Sequence, residues 1–316
     1  MLLNSWQLLG IFIVMTVSSY LITPLFRNLA NAKGVLDHPG GRKTQRKPVP
    51  YLGGLAIALP ITLASLGLAF SSIDSAIKSE IYLGLIAPSV IIAIVGLFDD
   101  IYELSPKIRF ISQSVVGVIT SLLLFINGTG IKIFNDPWLN GLVTTFWVVG
   151  IINAVNFIDN MDGLATGIAV IASLAFFVIA FINGQYLVAA LCVALSGGCS
   201  GFFFWNKKPA SIYLGDAGAL YIGFLLAAIS IRIDINQLPQ IERVIIPILI
   251  LIIPFIDTTQ VVISRIYRGK SPFQGGRDHV SHLLLNKGLS EQKMVATIWS
   301  IATVFALVAI YVSKSI

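Results

Sequence analysis

The sequence predicts an all-α polytopic integral membrane protein of ten transmembrane helices, or eleven, with its reactive residues at the cytoplasmic face. Three observations carry that reading. Of 316 residues, 56% are hydrophobic and only 11% charged, with a mean hydropathy of +0.87, more apolar than the surface of a soluble chain allows. Apolar stretches long enough to cross a hydrocarbon core recur through the whole chain. Carboxylates, amides, histidines and basic residues are confined to a few short interruptions, and these share one side once the chain is threaded through a bilayer. The chain 1–316 thus reads as one membrane-embedded domain, without a soluble module, low-complexity tract or internal repeat.

In order, the expected spans run from 5 to 26, 51 to 70, 80 to 98, 107 to 126, 141 to 158, 163 to 182, 185 to 204, 216 to 232, 243 to 265 and 293 to 313. The opening Met1 to Gln7 lacks the basic region and small-residue cleavage site of a signal peptide, so the first span is expected to be retained. Ser105 and Pro106 have the N-cap and first-turn chemistry that starts the fourth span. Cys192 and Cys199 lie two helical turns apart within the seventh, too far for a disulfide.

Orientation follows from the basic residues. With both termini outside, sixteen of the 21 Lys and Arg fall on inner loops or inner span ends, against Lys78, Lys132, Arg232, Arg243 and Lys314 outside. That asymmetry makes the first face cytoplasmic. The net charge of +6 then suits anionic head groups or a phosphorylated substrate, and nucleic acid is not an expected partner.

The inner face carries the chemistry. Asp99 and Asp100 close the third span; adjacent carboxylates either mark a helix end in water or hold a cation or a raised pKa. Asn153, Asn156, Asp159 and Asp162 recur every third residue at the end of the fifth span, so they wrap around the helix unless it breaks near Asp159. Capping of the sixth span by Asp162 would explain one of the four, whereas a wet pocket would explain all. Asp216, between Gly215 and Gly218, opens the eighth span, where the helix dipole favours an anion. Spans four, six and eight all start at this face and could jointly present backbone N–H groups to a diphosphate. The last inner loop holds Arg277, Asp278, His279 and His282; without a cytoplasmic thiol, the carboxylates favour Mg²⁺ over zinc. Asp257 lies within the ninth span, about 12 Å from its inner end on a straight helix. An acid there is either functional or paired with a neighbouring span.

Taken in order, these pieces resemble the polyprenyl-phosphate N-acetylhexosamine-1-phosphate transferase superfamily (glycosyltransferase family 4). The likeness is greatest to the bacterial branch that starts O-antigen, enterobacterial common antigen and wall teichoic acid assembly; the phospho-N-acetylmuramoyl-pentapeptide transferases form a sister branch. The matching stretches run from Asp37-His38-Pro39-Gly40-Gly41-Arg42-Lys43, with Pro50 and Gly53-Gly54, through Asp99-Asp100 and Ser105-Pro106-Lys107. They continue with Asn153 to Gly163, Tyr213-Leu214-Gly215-Asp216, Asp257-Thr258 and the histidine loop.

The resemblance implies a Mg²⁺-dependent transferase, with Mn²⁺ able to substitute, that moves a sugar-1-phosphate from a UDP-sugar to undecaprenyl phosphate and releases UMP. The default sugar is N-acetylglucosamine. It implies that Asp99, Asp100, Asp159, Asp162, His279 and His282 are catalytic, and that Asp99, Asp100 and Asp216 hold the metal. Arg46, Lys47, Lys107, Arg109 and Arg277 would meet phosphates, Asn153 and Asn156 would position substrate, Tyr213 would stack on uracil and Asn206 would meet the uridine. It also implies a multi-pass protein of the bacterial inner membrane and is compatible with a homodimer. Two positions depart from the pattern: Ser281 and Gln45 stand where the family often has histidine. Single displacement and a double displacement through an aspartyl-phosphate both remain open. The competing class is an ion-coupled transporter with an acidic relay, but transporters place such groups near the midplane rather than at span ends.

Overall fold

The computed structural model describes residues 4–39, 47–71, 74, 81–126, 130–235, 240–271 and 276–314. The helices are α1 (Ser5–Lys33), α2 (Gly53–Ser71), α3 (Tyr82–Tyr102), α4 (Pro106–Ile126), α5 (Pro137–Ile158) and α6 (Leu164–Ile182). They continue with α7 (Tyr186–Asn206), α8 (Gly215–Arg232), α9 (Gln240–Ile250), α10 (Ile252–Tyr267), α11 (Val280–Asn286) and α12 (Glu291–Lys314). Strands β1 (Leu36–Asp37) and β2 (Val49–Pro50) pair antiparallel, Leu36 opposite Pro50. Among the described residues, nine helices are long and apolar enough to cross a membrane, or ten with the bent pair α9–α10 counted as one span.

That pair is the main departure from the expected spans. The ninth is not straight: its halves meet at 79° around Leu251. Pro254 supplies the cause, because a proline cannot donate to the carbonyl four residues back and its ring crowds that carbonyl. The break is acceptable in a bilayer only because it packs inside the protein, where Ile250 and Leu251 are buried.

Helix α8 is the central post. Within its span 83% of the residues are buried, against 22% for the peripheral α1 and α12. Lipid tails are as apolar as leucine, so close backbone approach rather than oiliness sets which helices meet. A Cβ at Gly54 would lie 2.1 Å from the Gly218 Cα, and one at Gly96 would lie 2.5 Å from the Ala217 Cα, so α2 and α3 sit directly against the first turn of α8. Gly197 and Gly201 let α7 meet α1 in the same way.

The β-hairpin extends this clasp. The Tyr213 N–H donates to the Pro50 carbonyl, while the Gly53 and Gly54 N–H groups donate to the carbonyls of Tyr213 and Leu214. The Gly53-Gly54 pair is therefore a packing device that fixes the segment leading into Asp216.

Candidate active site

The ends of α3, α5 and α7 and the starts of α4, α6 and α8 meet at one end of the bundle. At the end of α3, Asp99 is 2% exposed; its Oδ1 accepts the Leu104 N–H at 2.9 Å and its Oδ2 pairs with the Arg109 Nε from the first turn of α4. Ser105 Oγ accepts from the Ile108 N–H at 3.4 Å and Pro106 opens the helix, which sets Arg109 at that place. The same guanidinium reaches the Asp216 Oδ2 at 3.5 Å, and the Asn156 amide donates to the Asp216 Oδ1. One arginine thus draws together carboxylates from the end of α3 and the start of α8.

Asp100, expected beside Asp99 as a metal ligand and catalytic group, is placed differently. Its two oxygens accept the backbone N–H groups of Asp216 (2.7 Å) and Ala217 (3.1 Å). It holds the N-terminus of α8, where unpaired N–H groups and the dipole favour a carboxylate. Gly215, at φ +74°, leaves room for it, since a Cβ there would stand 2.6 Å from the Asp100 Oδ2.

Helix α5 ends at Ile158, and Asp159 leaves the helical conformation at φ −77°, ψ 56°, so the polar series does break where its wrapping required. Asp159 faces into the cluster: burial, then the charges of Asp216 and Asp162, push its carboxyl up to about 8. Asp162 does not cap α6. Its Oδ2 accepts the Ala210 N–H at 3.0 Å, and Gly163, at φ +72°, occupies the cap position. The oxygen that serves Gly163 comes from Asn206, which accepts from the Gly163 N–H and the Thr166 hydroxyl, while its amide donates to the Ile212 carbonyl. With 3% exposure and both ends of its amide engaged, Asn206 ties α6 and α7 to the Tyr213 segment. Asn153, also expected to position substrate, donates to the Val149 carbonyl of its own helix.

Tyr213 lies beside Tyr51, ring centroids 6.2 Å apart. Burial and the charges of Asp162, Asp37 and Asp159 raise its hydroxyl pKa; burial and a hydrogen bond with Asp37 do the same for Tyr51. Lys47 and Lys107 are exposed. Arg46 lies outside the described residues, as do Arg42 to Gln45 and Pro272 to Gly275.

The histidine loop forms a second cluster. The His279 Nδ1 lies 2.7 Å from the Asp257 Oδ2, and the Asp257 Oδ1 accepts the Val280 N–H at 2.8 Å. Asp278 receives Arg265 Nε at 3.2 Å and Arg268 at 2.8 Å. Burial opposes its ionisation, but the Arg265 hydrogen bond and the Arg268 and Arg265 charges outweigh it and hold its carboxyl below the usual range. Burial, then the charges of His279 and Arg277, lower the pKa of His282. Arg277 is exposed at the same loop.

Three residues at the end of α5 join the clusters. Asn156 bonds to Asp216, Phe157 meets the His279 ring edge-on at 6.2 Å, and Asn160 accepts the buried Ser281 hydroxyl at 2.7 Å. Sequence reasoning missed Asn160, Arg265, Arg268 and the anchoring part of Asp278. Their partners are distant in sequence or irregularly spaced, so no periodicity links them.

The family model described as "Glycosyl transferase family 4" matches residues 82–234, from α3 to just beyond α8, and so contains Asp99, Asp100, Arg109, Asn156, Asp159 and Asp216. The chain is 33% identical to the "Probable undecaprenyl-phosphate N-acetylglucosaminyl 1-phosphate transferase" of Bacillus subtilis (strain 168), over 96% of this chain and 84% of that one. The chain belongs to glycosyl transferase family 4. Within the family it is also similar to phospho-N-acetylmuramoyl-pentapeptide-transferases. The protein of that name from Listeria monocytogenes serotype 4b (strain CLIP80459) is 31% identical and that from Geobacillus thermodenitrificans (strain NG80-2) is 30% identical, each over 95% of both chains. These alignments extend beyond the family model and span the histidine loop as well.

Proposed function

We propose that this family member transfers a sugar-1-phosphate, by default N-acetylglucosamine 1-phosphate, from a UDP-sugar to undecaprenyl phosphate at the cytoplasmic face of the bacterial inner membrane. UMP leaves, and a lipid-held diphosphate sugar remains. The observation that carries the reading is the convergence of Asp99 and Asp216 on the single guanidinium of Arg109, at the ends of membrane-spanning helices. Such a site suits phosphates arriving from both water and lipid.

An oxygen of the lipid phosphate attacks the sugar-bearing phosphorus, and the bond from that phosphorus to the bridging oxygen of UMP breaks. A phosphate monoester is mostly dianionic near neutral pH, so the nucleophile does not depend on a base. Bringing it against a diphosphate is the obstacle. Arg109 offers a fixed positive charge, and positioning supplies much of the remaining acceleration. Tyr213 and Tyr51 offer ring faces suited to uracil, and the Asp159 carboxyl, protonated near pH 7, can donate to a phosphate or sugar oxygen.

The donor set fits Mg²⁺. Among the described residues no three His, Cys, Asp or Glu groups form a metal site by themselves. Mg²⁺ does not demand one, since it commonly keeps several waters and uses one or two carboxylates plus substrate phosphates. Asp99 and Asp216 would hold it, with the Asn156 amide adjacent; Asp100 is engaged with α8. Mn²⁺ shares the preference for oxygen ligands. When bound, the cation supplies charge that offsets the repulsion between the phosphates.

The test is UMP release by purified protein given undecaprenyl phosphate and each of a panel of UDP-sugars, with and without chelator. Release that requires the lipid phosphate and a divalent cation is the expected result. UMP release from no UDP-sugar would refute the transferase reading, and full activity in chelator would refute the metal.

A further inference from the structure

An acid buried among membrane-spanning helices is costly unless something pairs with it, and one that is kept there is a candidate for function. Asp257 is 1% exposed, in the second turn of α10 just past the 79° break. Both its oxygens point to the histidine loop: Oδ1 accepts the Val280 N–H, and Oδ2 meets the His279 Nδ1. His279 is itself buried, at 8% exposure. Its ring is braced edge-on by Phe157 at 6.2 Å and lies 6.1 Å from that of His282. Three constraints therefore act on one imidazole, namely a carboxylate on Nδ1, a backbone anchor one residue on and an aromatic wall from α5.

We propose that Asp257 is a positioning residue for the transfer reaction: it accepts a hydrogen bond from the Nδ1–H of His279, fixes the ring plane and aims Nε2 at the diphosphate of the sugar nucleotide, to which Nε2–H donates when the ring carries its second proton. The inference rests on the transferase reading above. A carboxylate on one ring nitrogen settles the orientation and tautomer of the other, the logic by which carboxylates orient catalytic and metal-bound histidines. The bend between α9 and α10 acquires a purpose from this. The helix turns beside the loop and delivers Asp257 beneath His279, which it pins through side chain and backbone together. Asp278 completes the fixation from the other side, held by Arg265 and Arg268 of the same helix end.

The experiment compares wild type, Asp257→Asn, His279→Ala and the double variant, in UMP release with undecaprenyl phosphate and the preferred UDP-sugar. Asparagine keeps an acceptor for the Val280 N–H and the volume of aspartate, so the fold and thermal midpoint should survive while the hold on Nδ1 is lost. The expected result is a fall in kcat of about 10- to 100-fold, an unchanged KM for the lipid phosphate, and no further loss when Asp257→Asn is added to His279→Ala. A purely structural role would lower the midpoint and move both constants. Wild-type turnover with Asp257→Asn fully active, or with the two losses multiplying, would overturn the proposal alone. A wild-type protein that releases no UMP from any UDP-sugar would overturn the transferase reading and this proposal with it.

Discussion

Asp99 and Asp100 are neighbours in sequence with separate tasks in the structure, and substitution should separate them. The Asp100 carboxylate accepts N–H groups from Asp216 and Ala217 at 2.7 and 3.1 Å, at the positive end of α8. Asparagine has one acceptor oxygen, so Asp100→Asn turns an NH₂ toward the second N–H and removes a charge-assisted hydrogen bond. Such a bond contributes ~1.5–3 kcal/mol, and a buried donor left alone costs about as much. With partial relaxation a loss of ~2–3 kcal/mol is expected. In a chain of this size that lowers the thermal midpoint by roughly 2 °C per kcal/mol, hence about 4–6 °C. Asp99→Asn keeps an oxygen for the Leu104 N–H, and relief of repulsion with Asp216 offsets part of the lost pairing with Arg109, which keeps Asp216 as a partner, so its midpoint should move less than that of Asp100→Asn while turnover collapses. Thermal unfolding in detergent and UMP release measured on both variants decide the matter. Equal midpoints for Asp100→Asn and wild type, or a larger drop for Asp99→Asn, would refute the division of labour.

Asp159 should give the metal-free protein a pH-dependent stability. Its native carboxyl holds its proton up to about 8, whereas the ordinary value is 3.8, so between them the native state binds more protons and stability falls as pH rises. Asp159→Asn should flatten that decline of the unfolding midpoint between about pH 5 and pH 8; parallel curves would count against it. Ser281→His should not restore a family-like site, because Ser281 is 1% exposed and bonded to Asn160, and overpacking there costs ~1–3 kcal/mol. A variant as stable as wild type and more active would contradict this. For sidedness, Cys192 and Cys199 are replaced by alanine and single cysteines introduced at the exposed Lys287 and Asn135. An impermeant thiol reagent added to intact cells should label position 135 alone, and the reverse pattern would overturn the charge count.

The spans were legible because a bilayer imposes length and apolarity on every crossing, and each expected span has its helix. The kink at Leu251 was not, although Pro254 stands in the sequence, because prolines inside α1 and α2 sit in unbroken helices and only packing separates the cases. Likewise Asp99, Arg109 and Asp216 announce themselves as charges at span ends, but residue type does not say which carboxylate faces a ligand. Asp100 and Asn206 look like site residues and act as ties, because the neighbours that engage them are backbone groups from α8 and from the turns around Gly163 and Ile212. Backbone donors and acceptors are the same at every position, so a sequence cannot show where they will be exposed.

The glycines make the same point from the other side. Gly53, Gly54, Gly96, Gly215 and Gly218 carry no chemistry, yet each permits an approach that a methyl group would block, and all five lie around the first turn of α8. The site is thus built by bringing backbone against backbone until the N-terminus of α8 lies between the ends of α2 and α3. Like charges then have to be balanced locally, and Arg109 does so for Asp99 and Asp216 while Asp100 is balanced by N–H dipoles. This leaves Asp159 as the acid of the cluster with no described basic partner at its carboxylate, which is why burial and its acidic neighbours leave it holding a proton. The asymmetry of the cluster thus follows from which carboxylates the arginine reaches, namely Asp99 and Asp216.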